Sequence, residues 1–347
     1  MMEAKIRKPA VAGSFYAGDT KELRQDVQNC FSRCKNPLME NVQAVIVPHA
    51  GYVFSGVTAA SAFAAINPDA EYEHIFLLGP SHHVYLGKAS VNIGASAYAT
   101  PLGNVPVDTA LCKDLMEKSD AITYAQEAHE SEHCLEVELP FLQYHMKKLP
   151  SIVPIIIATQ ELTTLKKIAD TLKSYLNEKN LFIISSDFSH YPAYKDAEIV
   201  DGLTKDSIMT GKVEAFVNAT LHNQELGIDH LATSACGMAP IATLLMMTEN
   251  DAKIKPHHVM YCNSGDSPYG GKDKGVGYHS FVFTRETCGF DLTSEDRKML
   301  KSIAYHTIKA TLEGKKYEPG KLSDVLLTKC GAFVSLHKKG RLRWCIG

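Results

Sequence analysis

The chain reads as an α/β protein built on a mainly parallel central sheet flanked by helices. Three observations predict this. Apolar, β-branched runs of strand length recur along the chain, each ends in a loop rich in Pro, Gly, Ser and His, and a helix-like stretch usually follows. Alternation of that kind sets parallel strands side by side with helices on both faces. Such sheets bind ligands beyond the carboxyl ends of their strands, so the polar residues after each apolar run are where chemistry is expected.

The elements follow in order. Residues 44–47 lead into Pro48, His49, Ala50, Gly51 and Tyr52, then a small-residue stretch over 56–65. Residues 74–78 lead into Gly79, Pro80, Ser81, His82 and His83. Residues 152–158 lead into Thr159 and Gln160, then a Leu/Ile/Lys periodic helix over 162–176. Residues 181–184 lead into Ser185, Ser186, Asp187, Phe188, Ser189, His190 and Tyr191. Residues 127–143 read as a helix that carries His133 and Glu136, three apart, on one face. Residues 203–248 read as mostly helical, with a break at Cys236-Gly237 near a helix start. The stretch 261–277 has the Gly/Ser/Asp composition of a rim loop and feeds a closing strand over 278–284.

A domain boundary falls between 285 and 292, giving units 1–287 and 288–347. Past it, Thr293-Ser294-Glu295-Asp296 has the spacing of a capping box, which opens a helix to about residue 312. A Gly/Lys/Pro linker and a strand-like run over 332–336 come next.

Bulk properties narrow the function classes. With 347 residues, 45% of them hydrophobic and 22% charged, the chain can bury a large core without staples. A formal net charge of −3 gives no basic excess to attract nucleic acid or an anionic membrane. The apolar runs are strand-sized and far short of a membrane span. No stretch near residue 1 is apolar enough for a secretion signal, so the expected location is cytoplasmic. The nine cysteines are odd in number, irregular in spacing and free of CxxC pairs, which predicts reduced thiols. Cys30 and Cys34 are read as structural.

Taken singly, the candidate residues carry little. His49 after Pro48 serves as readily in a structural hydrogen bond, Cys236 as a small buried apolar group, and His133 as a capping or core histidine. Taken together, His49, His82 and His190 stand at the carboxyl ends of three predicted parallel strands and point at one crevice. Of the adjacent pair His82-His83, only one can face it. Two neutral imidazoles with one anionic ligand is the pattern of non-haem iron with open positions. A thiolate in the anionic place is softer, and favours Fe(II), Cu or Zn over Mg or Ca. A histidine left unligated can act as general acid or base, and Asp187, three residues before His190, can orient its ring.

The set PHAGYVFSG (48–56), GPSHH (79–83), EHCLEVELPF (132–141), SSDFSHY (185–191) and SACG (234–237), with KPAVAGSFYAGD (8–19) before it, resembles the Memo family. That family includes the protein-B component of the AmmeMemoRadiSam gene set. The resemblance runs from about residue 5 to 284. It implies a fold like that of the class III (LigB-type) extradiol dioxygenases, with His49, His82 and Cys236 as metal ligands and His190 as catalytic acid/base. His83, His133, Glu136, Asp187 and Tyr52 are implied around the pocket. His133 and Glu136 match an HSxE-like motif in which Cys134 stands where Ser is common.

Residues 292–312 and 331–347 resemble the start of the AMMECR family, the protein-A component, with Trp344 in place of a Gly; most of that domain is absent. The expected cofactor is iron as Fe2+, with copper or zinc as alternatives. The expected function is a non-haem iron, dioxygenase-like redox enzyme acting on an unknown small molecule or peptide. The alternatives are a non-catalytic iron/copper- or phosphopeptide-binding adaptor, and, on the donor set alone, a zinc hydrolase. Radical SAM and AMMECR-family proteins of the same gene set are the implied partners.

Overall fold

Four apolar runs become four adjacent parallel strands, in the spatial order Val42–Val47, Asn180–Ser185, His74–Pro80, Ser151–Ala158. The computed structural model describes residues 5–34, 37–286, 292–328, 334–338 and 341–346, the last two ranges by their backbone. Almost every residue of the four strands is buried. Both faces of each strand are covered, so the sequence shows continuous apolar runs in place of an alternating pattern.

Further strands widen this core to eight. Gly277–Arg285 pairs antiparallel with Val42–Val47, and Ile254–Asn263 pairs antiparallel outside it. On the other side, Lys88–Val91 runs antiparallel to Ser151–Ala158, and Ile122–Thr123 lies parallel beyond it. A small separate sheet joins Ile6–Arg7, Ala97–Thr100 and Gly103–Pro106.

Helices cover both faces. Cys262 Sγ lies 2.9 Å from Thr58 Oγ1 on helix Tyr52–Ala64, while Tyr261 donates from its hydroxyl to Asp201 Oδ2, at 2.9 Å, on helix Tyr194–Met209. Successive strand residues point to opposite faces, so these two helices lie on opposite sides of the sheet. Helix Met238–Thr248, buried nearly all round, packs against helix Leu162–Leu172 and the His74–Pro80 and Asn180–Ser185 strands.

The helix expected over 127–143 is not continuous. It resolves into Glu127–Glu130, an irregular stretch, a 3-10 turn Glu136–Glu138 and helix Leu139–His145. Pro140 opens the last of these, where its missing N–H costs nothing. The Glu132 carboxylate takes the His133 and Cys134 N–H groups, which a helix would have used internally.

The chain divides into two compact units, Met1–Glu286 and Thr287–Gly347. In the second, Thr293 and Asp296 form the reciprocal capping box of helix Ser294–Leu312, and Val334–Lys338 pairs antiparallel with Arg341–Ile346. The start of the strand expected over 332–336 lies outside the described residues. Among the described residues, no helix is long and apolar enough to cross a membrane.

Candidate metal centre

Three neighbouring parallel strands end side by side, and their loops carry the site. His49 lies two residues past Val42–Val47, His82 two past His74–Pro80, and the 186–190 segment follows Asn180–Ser185. Cys236 arrives from the turn before helix Met238–Thr248. That turn lies so close to the strand end that a Cβ on Gly237 would stand 2.4 Å from Ser186 Cβ and 2.8 Å from Ser185 O. Only glycine lets it close. The Gly237 N–H then donates to Ser186 Oγ at 2.9 Å, and the Cys236 N–H to Asp187 O at 3.2 Å.

One donor atom from each of His49, His82 and Cys236 lies within 4.8 Å of the others. Cys236 Sγ is 3.3 Å from His49 Nε2. A first-row cation bonded to sulfur at about 2.3 Å and to nitrogen at about 2.0–2.1 Å sets the two about 3.1 Å apart at a right angle and about 3.6 Å apart at the tetrahedral angle. The observed separation falls between, so the donor set fits a transition-metal ion without rearrangement of this pair.

Each imidazole is held by its other nitrogen. Ser185 Oγ donates to the Cys134 carbonyl at 2.7 Å, so it accepts from His49 Nδ1, also at 2.7 Å. The proton therefore sits on Nδ1 and the Nε2 lone pair faces Cys236. The His49 N–H donates to Asp187 Oδ1 at 2.8 Å. His82 Nδ1 donates to Glu132 Oε1 at 2.9 Å, and its backbone N–H to Glu132 Oε2 at 2.8 Å. A carboxylate behind a ligand histidine is the usual means of fixing its tautomer.

Electrostatics agree with this arrangement. Burial, with the His82 and His133 rings nearby, holds the His49 pKa well below its ordinary value, so the ring is neutral. For His82, burial works against the charged form, but the Glu132 hydrogen bond outweighs it and the pKa rises. Burial pushes the Cys236 thiol well up, and the nearby Asp187 adds to the rise, so the thiol keeps its proton without a cation beside it. Burial raises Asp187 to about 6.

The remaining predicted residues divide. His190 stands close enough for its charge to act on both Asp187 and His49, and its Nδ1 donates to the Phe188 carbonyl at 2.8 Å. His133 lies among the site rings, 5.5 Å from His49 and 4.9 Å from His82 between centroids, and burial lowers its pKa to about 4. His83 is exposed and lines, with His82, Cys236, Tyr85 and Gln160, a cleft of about 710 Å³.

Tyr52 and Glu136 are engaged elsewhere. The Tyr52 hydroxyl donates to the Val137 carbonyl at 2.7 Å and its ring packs on Phe141. Glu136 lies near enough for its charge to act on His133, but its hydrogen bonds go to the N-terminal segment. It pairs with Arg7 at 2.7 Å and accepts from the Ala10 and Val11 N–H groups and the Tyr16 hydroxyl, so it anchors the N-terminal segment. Sequence reasoning missed Glu132, Ser185 and Arg7. A Glu directly before His133 was the available signal for the first.

The profile of the Memo-like protein family matches residues 7–282. A MEMO1 family protein of Nitrosopumilus maritimus is 32% identical over 287 residues, covering 80% of this chain and 99% of that protein. One from Methanosarcina mazei is 32% identical over 282 residues with the same coverage, and one from Aeropyrum pernix is 34% identical over 275, covering 76% and 94%. Among solved structures, that of an uncharacterized protein from Escherichia coli K12 aligns with a TM-score of 0.48 at 14% identity, covering 70% of this chain and 99% of that one.

Proposed function

The chain belongs to the Memo-like protein family, and from that premise we propose that it is a metal-dependent enzyme of redox type, dioxygenase-like, that holds Fe2+ through His49, His82 and Cys236. One observation carries the proposal. Both imidazoles have one nitrogen fixed by a buried partner, Ser185 or Glu132, while the donor atoms of the two rings and the Cys236 sulfur converge. A soft sulfur with two neutral nitrogens suits iron, copper or zinc and disfavours magnesium or calcium.

Bound there, iron would supply open coordination positions and redox character. The chain's own residues supply the rest. Ser185 and Asp187 hold His49, Glu132 holds His82, and His190 Nε2 takes or returns a proton at the pocket wall. The cleft beside His82 and Cys236 admits a small molecule or the end of a peptide. We read residues 288–347 as an AMMECR-like segment, supported by its capped helix and hairpin, with radical SAM and AMMECR-family proteins as partners.

The test is metal analysis of anaerobically purified protein beside Cys236→Ala. Near-stoichiometric iron that falls sharply in the variant is expected. No metal in either, after reloading with iron, copper and zinc in turn, would refute the metal centre and favour a pocket that binds a peptide or anion without chemistry.

A further inference from the structure

Glu132 has acceptor capacity that His82 does not use. Its Oε1 accepts from His82 Nδ1 at 2.9 Å and from the His133 and Cys134 N–H groups at 3.0 and 3.1 Å. Among the described residues, its Oε2 accepts from the His82 N–H, at 2.8 Å. A carboxylate oxygen offers two acceptor positions, so Oε2 keeps one open.

Beside it stands His133, whose side chain is only 18% exposed. Neither ring nitrogen makes a hydrogen bond to a described residue. The nearest charged partner of Nδ1 is Glu132 Oε1 at 3.4 Å, and the ring is otherwise walled by Phe15, His49 and His82. With no hydrogen bond to a described residue, its nitrogens are open to a ligand entering from the cleft.

The third donor is His83. Consecutive side chains at the end of a strand diverge, so His82 turns to Cys236 while His83 turns to the rim. One donor atom each of His83, Glu132 and His133 lies within 4.8 Å of the others.

We propose that His83, Glu132 and His133 form a second cation site at the rim of the pocket, taking a divalent first-row transition metal. Two imidazoles and one carboxylate, with no thiol, make a harder donor set than His49, His82 and Cys236, suited to Fe(II), Mn(II), Co(II) or Zn(II). Glu132 joins the two sites, since the same carboxylate that would ligate at the rim holds His82 Nδ1. A cation at the rim draws on the electron density that supports His82, so filling the rim weakens the inner site.

The proposal goes beyond the His49–His82–Cys236 reading and does not depend on it. The test is an anaerobic Co2+ titration of the full chain by equilibrium dialysis, read together with the near-ultraviolet thiolate-to-cobalt band, which is assigned to Cys236 by its loss in Cys236→Ala and its survival in Cys134→Ala. One equivalent with the thiolate band and a second equivalent without it are expected. His83→Ala, at an exposed position that should leave folding intact, and separately His133→Ala should lose the equivalent without the band and keep the one with it. Cys236→Ala should do the reverse. A single equivalent in the wild type, or a second one indifferent to His83→Ala, would overturn the rim site. A second equivalent retained with no thiolate band at all would instead sink the inner site and leave the rim site standing.

Discussion

Replacing Arg7 with Met should weaken both the fold and the metal centre. The Arg7 side chain is 6% exposed and each guanidinium nitrogen donates: Nη1 to Glu136 Oε2 at 2.7 Å and the Lys8 carbonyl at 3.4 Å, Nε to the His129 carbonyl at 2.7 Å, and Nη2 to the Glu132 carbonyl. Met fills similar volume but leaves the Glu136 carboxylate, which is 0% exposed, without a counter-charge, and leaves those carbonyls without this donor. Removing one member of a buried pair costs about 3–5 kcal/mol, a large share of the roughly 5–15 kcal/mol that holds a domain together. Urea unfolding should show a midpoint lowered by that free energy divided by the denaturant slope, with the slope itself unchanged. Adding Glu136→Gln should recover part of the loss, because the stranded charge is gone. The centre should suffer as well, since Arg7 fixes the backbone of Glu132 and Glu132 fixes His82. Metal affinity should fall by about tenfold or more. A destabilisation below about 1 kcal/mol with unchanged affinity would refute the view that this ion pair couples the N-terminal segment to the site.

Glu132→Gln should lower metal affinity at the Cys236 site by about 10–100-fold, measured by competition with a chelator, because one amide oxygen replaces two carboxylate acceptors serving four N–H donors; unchanged affinity would count against Glu132 as the residue that orients His82. Gly79→Ala should cost about 1–3 kcal/mol, because the new Cβ would stand 2.4 Å from Cys134 Sγ and 2.8 Å from Leu135 Cδ2. Cys134→Ala in the same chain should return part of that cost, and equal stability of Gly79→Ala and wild type would show that the segment yields freely.

The central strands were legible because burial on both faces leaves unbroken apolar runs, as in Ile152–Ile157, and few other structures account for such runs. His49 and His82 were legible as neighbours because parallel strands deliver their following loops to one edge, whereas Cys236, which precedes a helix and follows no strand, was implied only by the family resemblance. The 127–143 segment misled for a physical reason. Its i, i+3 pattern is real, but the Glu132 carboxylate takes the amides that a helix would use, and Pro140 restarts the helix. Arg7 was invisible because its partners Glu132 and Glu136 lie more than 120 positions away, and no local pattern marks a contact of that range. The outer antiparallel strand was hidden, since residues 254–263 are mostly half-buried without alternation and pair with the closing strand at the sheet edge.

Two buried groups outside the site should give the chain opposite responses to acid. His129 is buried, with Ser90 Oγ at 3.0 Å and the Tyr98 hydroxyl at 3.3 Å, and burial lowers its pKa to about 3. The unfolded chain takes up a proton at this residue below about pH 6.5 and the folded chain does not, so its contribution is lost as pH falls through that window. From pH 7 to pH 5 the loss is about 2 kcal/mol. Asp201 is the reverse case. It accepts from the Ser189 N–H and hydroxyl and the Tyr261 hydroxyl, but burial outweighs these bonds and raises its pKa to about 7. The folded chain binds a proton there below about pH 7 while the unfolded chain does so only below about pH 4, so acid stabilises through Asp201, again by about 2 kcal/mol between pH 7 and 5. The two nearly cancel in the wild type, and single variants separate them. Relative to wild type, His129→Gln should gain about 2 kcal/mol on going from pH 7 to pH 5, and Asp201→Asn should lose about as much. Urea unfolding of the three proteins at both pH values decides the matter: parallel pH dependence in all three would mean that neither group titrates as its burial requires, and shifts of the same sign would mean that one of the two protonation states has been assigned backwards.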